Sequence, residues 1–466
     1  MAFCWSVPVL HHQVDKKWRN KSTCRKQMHK FHHTNSHPFA CSKEMAIATS
    51  DSVNESNNAL DATDFDKYVM KTYKRQKLYF THGSGAWLWD QDGRKLLDFV
   101  GGIATCSVGH SHPKLVEAVS QQMSQVHHVS NLYYIPQQAQ LAKWLVEHSC
   151  ADRVFFCNSG TEANEAAIKL ARKYGKVRWN CKEPVIISAY NSFHGRTCGS
   201  LSATAQTKYQ SSFLPLLPGF EYIHYNDTTS FLEMVEKITK SSTSNPDRRI
   251  VGVLLEAAQG EGGVMPGDVS FFQTVRQVCN EIGALMILDE VQVGMGRTGR
   301  LWGYEHHDQV EPDIFTTAKG LAGGIPIGAM LCKSHCDLFE PGDHAATFGG
   351  NPLSCAAALA VCHIIEEEHL VENAKERGRE LKLGLERLKE SYPHIISQVR
   401  GWGLLLGLEL KEYAASQIIE AALEEDLLVL SAGPKVVRLA PPLVITREQV
   451  QLALQVLNNV MKKFKL

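Results

Sequence analysis

Short apolar runs without polar alternation recur between residues 151 and 331, and segments with helical spacing of apolar positions separate them. The runs that predict strands cover 154–156, 185–188, 250–255, 284–288, 314–316 and 328–331. A helix is predicted over 161–174, and a second helix ends at Gly283. Strands that are apolar on both faces and alternate with helices are typical of a doubly wound, mostly parallel α/β sheet.

The regions before and after this stretch carry smaller elements. A β-hairpin is predicted over 87–99 from two short apolar runs joined by a turn sequence. Beyond the large sheet, the predicted elements are a helix pair from 352 to about 391, strands over 403–410 and 436–439, and a final helix. That helix starts at Thr446, three residues before Gln449, in the pattern of a capping box. These elements predict a smaller α+β domain.

The first sixty residues differ from the rest because they lack periodicity and are rich in basic and hydroxylated residues. Residues 1–43 hold eight Lys/Arg and one acidic residue, which leaves 41 basic and 48 acidic residues in the remainder. Such a composition predicts an organelle transit peptide, and the lack of an Arg-rich amphipathic helix favours a plastid over a mitochondrion. A disordered tail is the alternative interpretation.

Four segments are therefore predicted along the chain. They are a leader over 1–60, an N-terminal segment over 61–115 that packs with the small domain, a large domain over 116–350 and a C-terminal small domain over 351–466.

Composition excludes several classes of protein. The formal net charge is zero, so nothing in the overall charge indicates nucleic acid or a membrane surface as a partner. No apolar run reaches the roughly 18 residues of a membrane-spanning helix. The thirteen cysteines lack regular spacing and are expected to be reduced. Cys332 and Cys336 have no second pair, so no metal site is predicted.

Two polar residues stand out in the apolar pattern. Asp289 ends the predicted strand 284–288, and Lys319 lies in a nearly uncharged stretch that is followed by glycines. Either charge is costly to bury without a partner. A cofactor that is cationic at one end and carries an aldehyde at the other would satisfy both.

Other polar residues also follow predicted strands. Ser159-Gly160-Thr161 sits where a strand meets a helix N-terminus, which suits either a phosphate site or a plain helix cap. Arg196 could bind a carboxylate, although alone it could equally be a surface arginine. Because ligands bind at the carboxyl ends of parallel strands, Arg196, Glu256 and Asp289 are expected to converge.

Two nucleotide-binding interpretations fail on context. The strand ending at Asp289-Glu290 could belong to a nucleotide hydrolase, but no phosphate-binding loop of the G-x-x-x-x-G-K-[ST] type lies upstream. The string from Gly294 to Gly299 matches a dinucleotide fingerprint, but no amphipathic helix follows it.

Taken together, the motifs resemble those of the class III aminotransferases, which use pyridoxal phosphate on a fold-type-I scaffold. The resemblance covers roughly residues 65–466. It is carried by SGTEANEAA (159–167), FHGRT (193–197), EAAQGEGG (256–263), LDEVQVGMGRTG (288–299), TTAKGLAGG (316–324) and TFGGNPLS (347–354). Within the family, GIATCSVGHSHP and SNLYYIPQQAQLAKWLVEHS look most like the acetylornithine-specific enzymes, particularly organellar plant-type ones. Ala257-Ala258 departs from the proline that is common after the first glutamate of EAAQGE.

The resemblance implies how the cofactor would be held. Lys319 would attach it covalently, Asp289 would pair with the pyridine nitrogen, and Phe193 would stack on the ring. Gln292 would lie near the ring hydroxyl. The phosphate would be held by Gly160, Thr161 and, in a homodimer, Thr347 of the partner subunit.

The resemblance also implies substrate contacts and an activity. Arg196 and Arg438 would bind carboxylates, and Glu261 would pair with Arg438 as a gate between the two half-reactions. The expected reaction moves the terminal amino group of N2-acetylornithine to 2-oxoglutarate, which gives N-acetylglutamate 5-semialdehyde and glutamate in arginine biosynthesis. Three alternatives remain: transfer from ornithine or 4-aminobutyrate, non-transaminating chemistry on the same cofactor, and a non-catalytic binding protein.

Overall fold

The computed structural model describes Phe65 and residues 67–464, so the predicted leader over 1–60 lies outside the described residues. The chain divides into two compact units, Met1–Arg75 and Gln76–Leu466. In the first unit, Phe65, Lys67 and Tyr68 are helical. All the elements below belong to the second unit. None of the helices in the described part of the chain has the length and apolarity needed to span a membrane.

The strands are numbered along the chain. They are β1 (Phe80–Ser84), β2 (Trp87–Asp90), β3 (Lys95–Asp98), β4 (Arg153–Cys157), β5 (Glu183–Ala189), β6 (Phe220–Ile223), β7 (Arg248–Glu256), β8 (Ala258–Gln259), β9 (Met265–Pro266), β10 (Leu285–Asp289), β11 (Ile314–Thr317), β12 (Gly328–Cys332), β13 (Ile396–Trp402), β14 (Leu405–Leu410), β15 (Leu427–Leu428), β16 (Leu430–Ser431) and β17 (Val436–Leu439).

The helices of more than one turn are α1 (Pro113–Met123), α2 (Pro136–Glu147), α3 (Gly160–Trp179), α4 (Cys198–Ala203), α5 (Thr228–Ser244), α6 (Val269–Ile282), α7 (Pro352–Glu367), α8 (Leu370–Ser391), α9 (Ala415–Glu424) and α10 (Arg447–Lys463). Single helical turns lie at Gly101–Ala104, Thr207–Gln210, Ser211–Phe213, Gly303–His306, Lys319–Ala322 and Ser334–Cys336.

The large sheet has seven strands in the order β4-β12-β11-β10-β7-β5-β6. Its strands β6, β5, β7, β10 and β11 run parallel, whereas β12 is antiparallel to both β11 and β4. The predicted mostly parallel α/β sheet is therefore confirmed. The reversed direction of β12 was not predicted, because a strand buried on both faces has the same apolar pattern in either direction.

Strand register places three polar side chains side by side at one edge of this sheet. Asp289, the last residue of β10, is in register with Glu256 on β7 and with Thr316 on β11. All three side chains are buried. The carboxyl edge of the parallel strands is where ligands bind in such sheets.

Helix α3 packs closely against the sheet because its inner face is built of small residues. Ala163, Ala166, Ala167 and Ala171 are fully buried, and α3 contacts β7, β11 and β12. A methyl group at Gly175 would lie 2.3 Å from Val251 Cγ1, so only glycine permits this approach. The close packing fixes the N-terminus of α3 beside the carboxyl edge of the sheet.

Two four-stranded sheets accompany the large one. The predicted hairpin forms β2 and β3, extended by β1 on one side and by β15 on the other. The second sheet has the order β13-β14-β17-β16. Helix α10 begins at Thr446 with the predicted capping box, since Thr446 Oγ1 accepts the N–H of Gln449 at 3.3 Å and Gln449 Oε1 accepts that of Thr446 at 2.9 Å.

Several elements were missed from the sequence, namely β1, β6, β13, α5 and α9. Helix α5 is rich in Ser and Thr, which are poor helix formers, but the carboxylate of Asp227 caps it by accepting the N–H of Ser230 at 2.9 Å. Strand β6 has four residues and gains its stability from pairing with β5.

Candidate active site

A cavity of about 360 Å³ opens at the carboxyl edge of the large sheet. Its volume lies in the range of small-molecule sites. The predicted site residues that line it are Gly160, Thr161, Phe193, Arg196, Asp289, Gln292 and Lys319. Glu261, Arg438 and Thr347 are not part of its wall.

The Asp289 carboxylate is held by three donors at the bottom of the cavity. Its Oδ2 accepts hydrogen bonds from Asn164 Nδ2 at 2.7 Å and is 2.8 Å from His194 Nδ1, and its Oδ1 accepts the N–H of Val291 at 2.9 Å. Thr316 Oγ1 in turn donates to Asn164 Oδ1 at 2.8 Å. These hydrogen bonds fix the orientation of the carboxylate in the cavity.

Asn164 and Thr316 have roles that sequence reasoning missed. A fully buried asparagine on the small-residue face of α3 is a signal in itself, because a buried amide requires partners. Its partner Asp289 lies 125 residues away along the chain, so only the folded sheet brings the two together.

Lys319 follows β11 and lines the cavity. Burial lowers the pKa of its amine to about 8, and the positive charge of Arg438 lowers it further. Its φ of +36° is strained for a residue with a side chain, and such strain concentrates at functional sites. A lysine with a lowered pKa is more often neutral and nucleophilic.

The N-terminus of α3 provides backbone N–H groups at the wall of the cavity. Ser159 caps the helix by accepting the N–H of Glu162 at 3.3 Å, as the plain-cap interpretation expects. The N–H groups of Gly160 and Thr161 have no partner inside the helix, since the first turn of any helix lacks one. The helix cap at Ser159 therefore leaves the N–H groups of Gly160 and Thr161 available to bind an anion.

Thr161 belongs to a cluster of hydroxyl groups at this end of the helix. Its Oγ1 lies 2.6 Å from Ser200 Oγ and 3.0 Å from Thr197 Oγ1. A methyl group at Gly195 would come within 2.1 Å of Thr161 Oγ1, so the loop can approach the helix only with glycine there.

Phe193 and Arg196 lie on the loop after β5. The Arg196 guanidinium is exposed and stacks 3.8 Å above the ring of Tyr209, which meets Phe193 edge to face. Arg196 has no carboxylate partner in the part of the chain that the structure describes. Tyr209 therefore orients a free cation at the cavity wall, a role that the sequence did not reveal.

Glu256 ties the loop of Phe193 to the loop after β7. Its two carboxylate oxygens accept the N–H of Phe193 at 3.0 Å and that of Gly260 at 2.9 Å. Burial raises the pKa of Glu256 to about 7; the His194 charge lowers it and Asp289 raises it. Glu256 thus fixes two loops of the cavity wall through hydrogen bonds to their backbone.

Arg438 on β17 connects two of the predicted site residues behind the wall. Its Nη1 donates to Glu261 Oε1 at 2.6 Å and to Gln292 Oε1 at 3.1 Å. Arg438 is almost fully buried, whereas the Glu261 side chain is about a quarter exposed. Glu261 therefore reaches solvent, whereas Arg438 does not.

Thr347 is exposed on a loop that precedes α7. It does not line the cavity of its own chain. Its neighbour Phe348 is 61% exposed, and the same surface carries Leu132, Tyr133 and Tyr134.

The arrangement fits pyridoxal phosphate. Asp289 is a buried carboxylate that can pair with a ring N–H, and burial lowers the pKa of the Lys319 amine, which suits it for attachment to an aldehyde. The N-terminus of α3 offers N–H groups to a phosphate, and the Phe193 ring provides an apolar face between these ends. Each chemical part of the cofactor has a matching group in one cavity. Among the described residues there is no cluster of side chains suited to a metal ion.

Comparison with known proteins gives a family and near relatives. Residues 68–461 match the family model "Aminotransferase class-III". An acetylornithine aminotransferase of Thermosynechococcus vestitus is 56% identical over 85% of this chain and 96% of its own length. One of Nostoc sp. is 51% identical over 90% of this chain and 97% of its own.

Solved structures show the same likeness. The N-acetylornithine aminotransferase of Stenotrophomonas maltophilia has a TM-score of 0.71 at 36% identity, covering 86% of this chain and 98% of that one. The ornithine aminotransferase of Toxoplasma gondii has a TM-score of 0.81 at 29% identity, covering 86% and 94%.

The lowered pKa of Lys319 predicts how covalent cofactor attachment depends on pH. Only the neutral amine reacts, so attachment to cofactor-free protein should speed up as the pH rises and level off above about 8. The measurement is the initial rate of absorbance change on mixing with pyridoxal phosphate between pH 6 and 10.5. Lys319→Ala gives the background from surface lysines, and a rate that keeps rising up to an ordinary lysine pKa of about 10.4 would contradict the prediction.

Proposed function

The chain belongs to the class III aminotransferases, and we propose that it transfers the terminal amino group of N2-acetylornithine to 2-oxoglutarate. As a member of this family it is an aminotransferase that uses pyridoxal phosphate. The observation that carries the choice of donor is its 51–56% identity, over most of both chains, to acetylornithine aminotransferases. The products would be N-acetylglutamate 5-semialdehyde and glutamate, in arginine biosynthesis.

The cofactor, when bound, supplies an electron sink for the substrate carbon that loses its proton. Asp289 would hold the proton on the ring nitrogen, because Asn164 and His194 keep its carboxylate in place. Lys319 would take the proton from the substrate carbon, which its lowered pKa favours. Phe193 would cover the ring, with Gln292 near the ring hydroxyl, and Gly160 and Thr161 would bind the phosphate.

Two arginines would bind substrate carboxylates at different stages. Arg196 has no carboxylate partner among the described residues and is oriented by Tyr209, so it can accept a carboxylate in both half-reactions. Arg438 is paired with Glu261, and acetylornithine has a single carboxylate, so Arg438 would have no carboxylate to bind while Arg196 holds that one. When Glu261 moves outwards, Arg438 becomes available to the second carboxylate of 2-oxoglutarate. The partial exposure of Glu261 supports this gating role.

Ornithine is the second candidate donor. The solved ornithine aminotransferase of T. gondii superposes with a higher TM-score, 0.81 against 0.71, although its sequence identity is lower. A high TM-score shows that two proteins share a backbone fold, but the choice of amino donor depends on side chains. The relatives with higher sequence identity are therefore the stronger argument for acetylornithine as the donor.

A panel of amino donors assayed with 2-oxoglutarate tests the proposal. We expect kcat/KM for N2-acetylornithine to exceed that for free ornithine or 4-aminobutyrate by roughly tenfold or more, because a site that contacts an acetyl group loses those contacts with other donors. Glutamate formation is the readout. Lys319→Ala is the blank, and an equal or reversed preference for ornithine would replace the proposal by the second candidate. Release of carbon dioxide without glutamate would exclude transamination of the donor.

We also propose a homodimer in which Thr347 of the partner subunit completes the phosphate site. Its support is an exposed apolar surface formed by Leu132, Tyr133, Tyr134 and Phe348, with Tyr134 fully exposed. Asn131 Nδ2 donates to Gly349 O at 2.8 Å and joins the two loops of this surface. Clustered exposed aromatic residues are typical of protein–protein interfaces.

Mixed dimers test this arrangement. A heterodimer of Lys319→Ala and Thr347→Ala chains, purified through two different tags, contains one intact site if Thr347 acts across the interface. We expect about half of the wild-type activity per dimer, whereas the Thr347→Ala homodimer loses roughly tenfold, the effect of removing a hydrogen bond to a charged group. If the heterodimer is no more active per Lys319 than the Thr347→Ala homodimer, Thr347 does not act in the partner's site.

We further propose that residues 1–60 are a plastid transit peptide and that 61–115, 116–350 and 351–466 are the N-terminal segment, the large domain and the small domain. The leader proposal is supported by basic, acid-poor composition and by the family match beginning at residue 68. Pairing of β3 with β15 supports placing residues before 115 with the C-terminal domain. Fluorescence of a fusion of residues 1–60 that stays outside plastids would refute the localisation.

A further inference from the structure

The helical turn Lys319–Ala322, called the lysine turn below, has an unfavourable backbone conformation at its first residue. Lys319 has a φ of +36°, in the left-handed region that favours glycine. The N–H of Leu321 closes the turn by donating to the carbonyl oxygen of Ala318 at 2.8 Å. A strained backbone conformation persists only where the surrounding structure holds it. Contacts from outside the turn are therefore needed to keep the Lys319 backbone in place.

Ser107 supplies such a contact. Its Oγ donates to the carbonyl oxygen of Gly320, the residue after Lys319, at 2.8 Å. Ser107 is 2% exposed, so its hydroxyl needs a partner inside the protein. A methyl group at Gly320 would lie 3.5 Å from Ser107 Cβ and 3.4 Å from Met295 Cβ, so the lysine turn packs closely against both segments. The hydrogen bond thus joins two backbone segments that already lie side by side.

Ser107 is itself fixed by the segment that follows β17. The carbonyl oxygen of Ser107 accepts the N–H of Leu443 at 2.7 Å. The carbonyl oxygen of Phe99, earlier in the same loop, accepts the N–H of Ala440 at 2.8 Å. Asn373 Nδ2 on α8 donates to the carbonyl oxygen of Leu443 at 2.6 Å. Ser107 therefore links the lysine turn to a segment whose backbone is held by several hydrogen bonds.

We propose that Ser107 is a positioning residue that holds the lysine turn, and through it the Lys319 amine, in place for reaction. Ser107 does not line the cavity, so it acts through Lys319 and not directly on cofactor or substrate. Covalent attachment and proton transfer both require the amine to lie within about 0.5 Å of its productive position. Because Leu443 follows β17, the contact also fixes the lysine turn relative to the strand that carries Arg438.

The variant that tests the proposal is Ser107→Ala, which removes the hydroxyl and leaves the rest of the side chain. Loss of one neutral hydrogen bond should slow each reaction of Lys319 about fivefold. The chain offers a matched control in Ser188, which is fully buried on β5 and whose Oγ donates to the carbonyl oxygen of Ala203 at 2.8 Å. Ser188→Ala removes the same kind of bond from a carbonyl group outside the lysine turn, so it should leave the reactions of Lys319 unchanged.

The first measurement is the rate at which pyridoxal phosphate attaches to the cofactor-free full-length chain between pH 6 and 10.5, with Lys319→Ala as background. For Ser107→Ala we expect a plateau about fivefold lower than that of wild type. The midpoint should stay near pH 8, because burial and Arg438 lower the pKa of the amine. An unchanged plateau would overturn the proposal. A midpoint that moves towards the ordinary lysine pKa of about 10.4 would also overturn it, since water would then have entered a loosened site.

The second measurement is the rate of one half-reaction, and it rests on the proposed function. Holoenzyme is mixed with saturating N2-acetylornithine without 2-oxoglutarate, and the absorbance of the cofactor is followed. The donor carries either hydrogen or deuterium on the carbon bonded to its terminal amino group. For Ser107→Ala we expect the limiting rate per bound cofactor to fall about fivefold, with a deuterium isotope effect at least as large as that of wild type. An unchanged limiting rate, or a slower rate with a smaller isotope effect, would overturn the proposal, because proton transfer by Lys319 would not be the step affected.

The two measurements separate this proposal from the proposed function. If wild type shows no absorbance change with N2-acetylornithine, the proposed donor is wrong, and the attachment rates still decide the role of Ser107. If Ser188→Ala is as slow as Ser107→Ala in attachment, the effect is not specific to the bond with Gly320, and the proposal on Ser107 is wrong.

Discussion

The structure depends on supplying hydrogen-bond partners to one carboxylate inside an apolar core. Asp289 ends the central strand β10 and is 4% exposed, yet its oxygens are satisfied by an amide, an imidazole and a backbone N–H. Each donor comes from a different place: helix α3, the loop after β5 and the turn after β10. The need to supply these donors fixes how closely α3 and that loop approach the sheet, and the small residues of α3 make the approach possible.

Other buried carboxylates also accept backbone N–H groups and thereby fix the position of loops. Glu290, next to Asp289, accepts the N–H groups of Gly303 at 2.6 Å and Tyr304 at 2.7 Å, and burial raises its pKa to about 8. Glu256 does the same for the loops of Phe193 and Gly260. A carboxylate that accepts two backbone N–H groups can fix a loop that contains no helix or strand. The side chains of that loop then remain available for ligand contacts.

The cations around the cavity differ in how they are held, and this difference underlies their proposed roles. Arg438 is buried and paired with Glu261, whereas Arg196 is exposed and held by an aromatic face. No such bond holds Lys319 among the residues that the structure describes, and burial and repulsion from Arg438 lower the pKa of its amine.

The sequence by itself determined the class of fold, most strands of the large sheet and the candidates Asp289 and Lys319, because buried strands and isolated charges in apolar runs leave a local signal. The direction of β12, the partners Asn164 and Thr316 of the Asp289 network, the brace at Glu256 and the stacking of Arg196 on Tyr209 were decided only by the tertiary structure. Each of these depends on residues far apart in the chain whose distance is set by strand order and helix packing. Periodicity reports how a segment is buried, but it does not report which distant groups will satisfy its polar atoms.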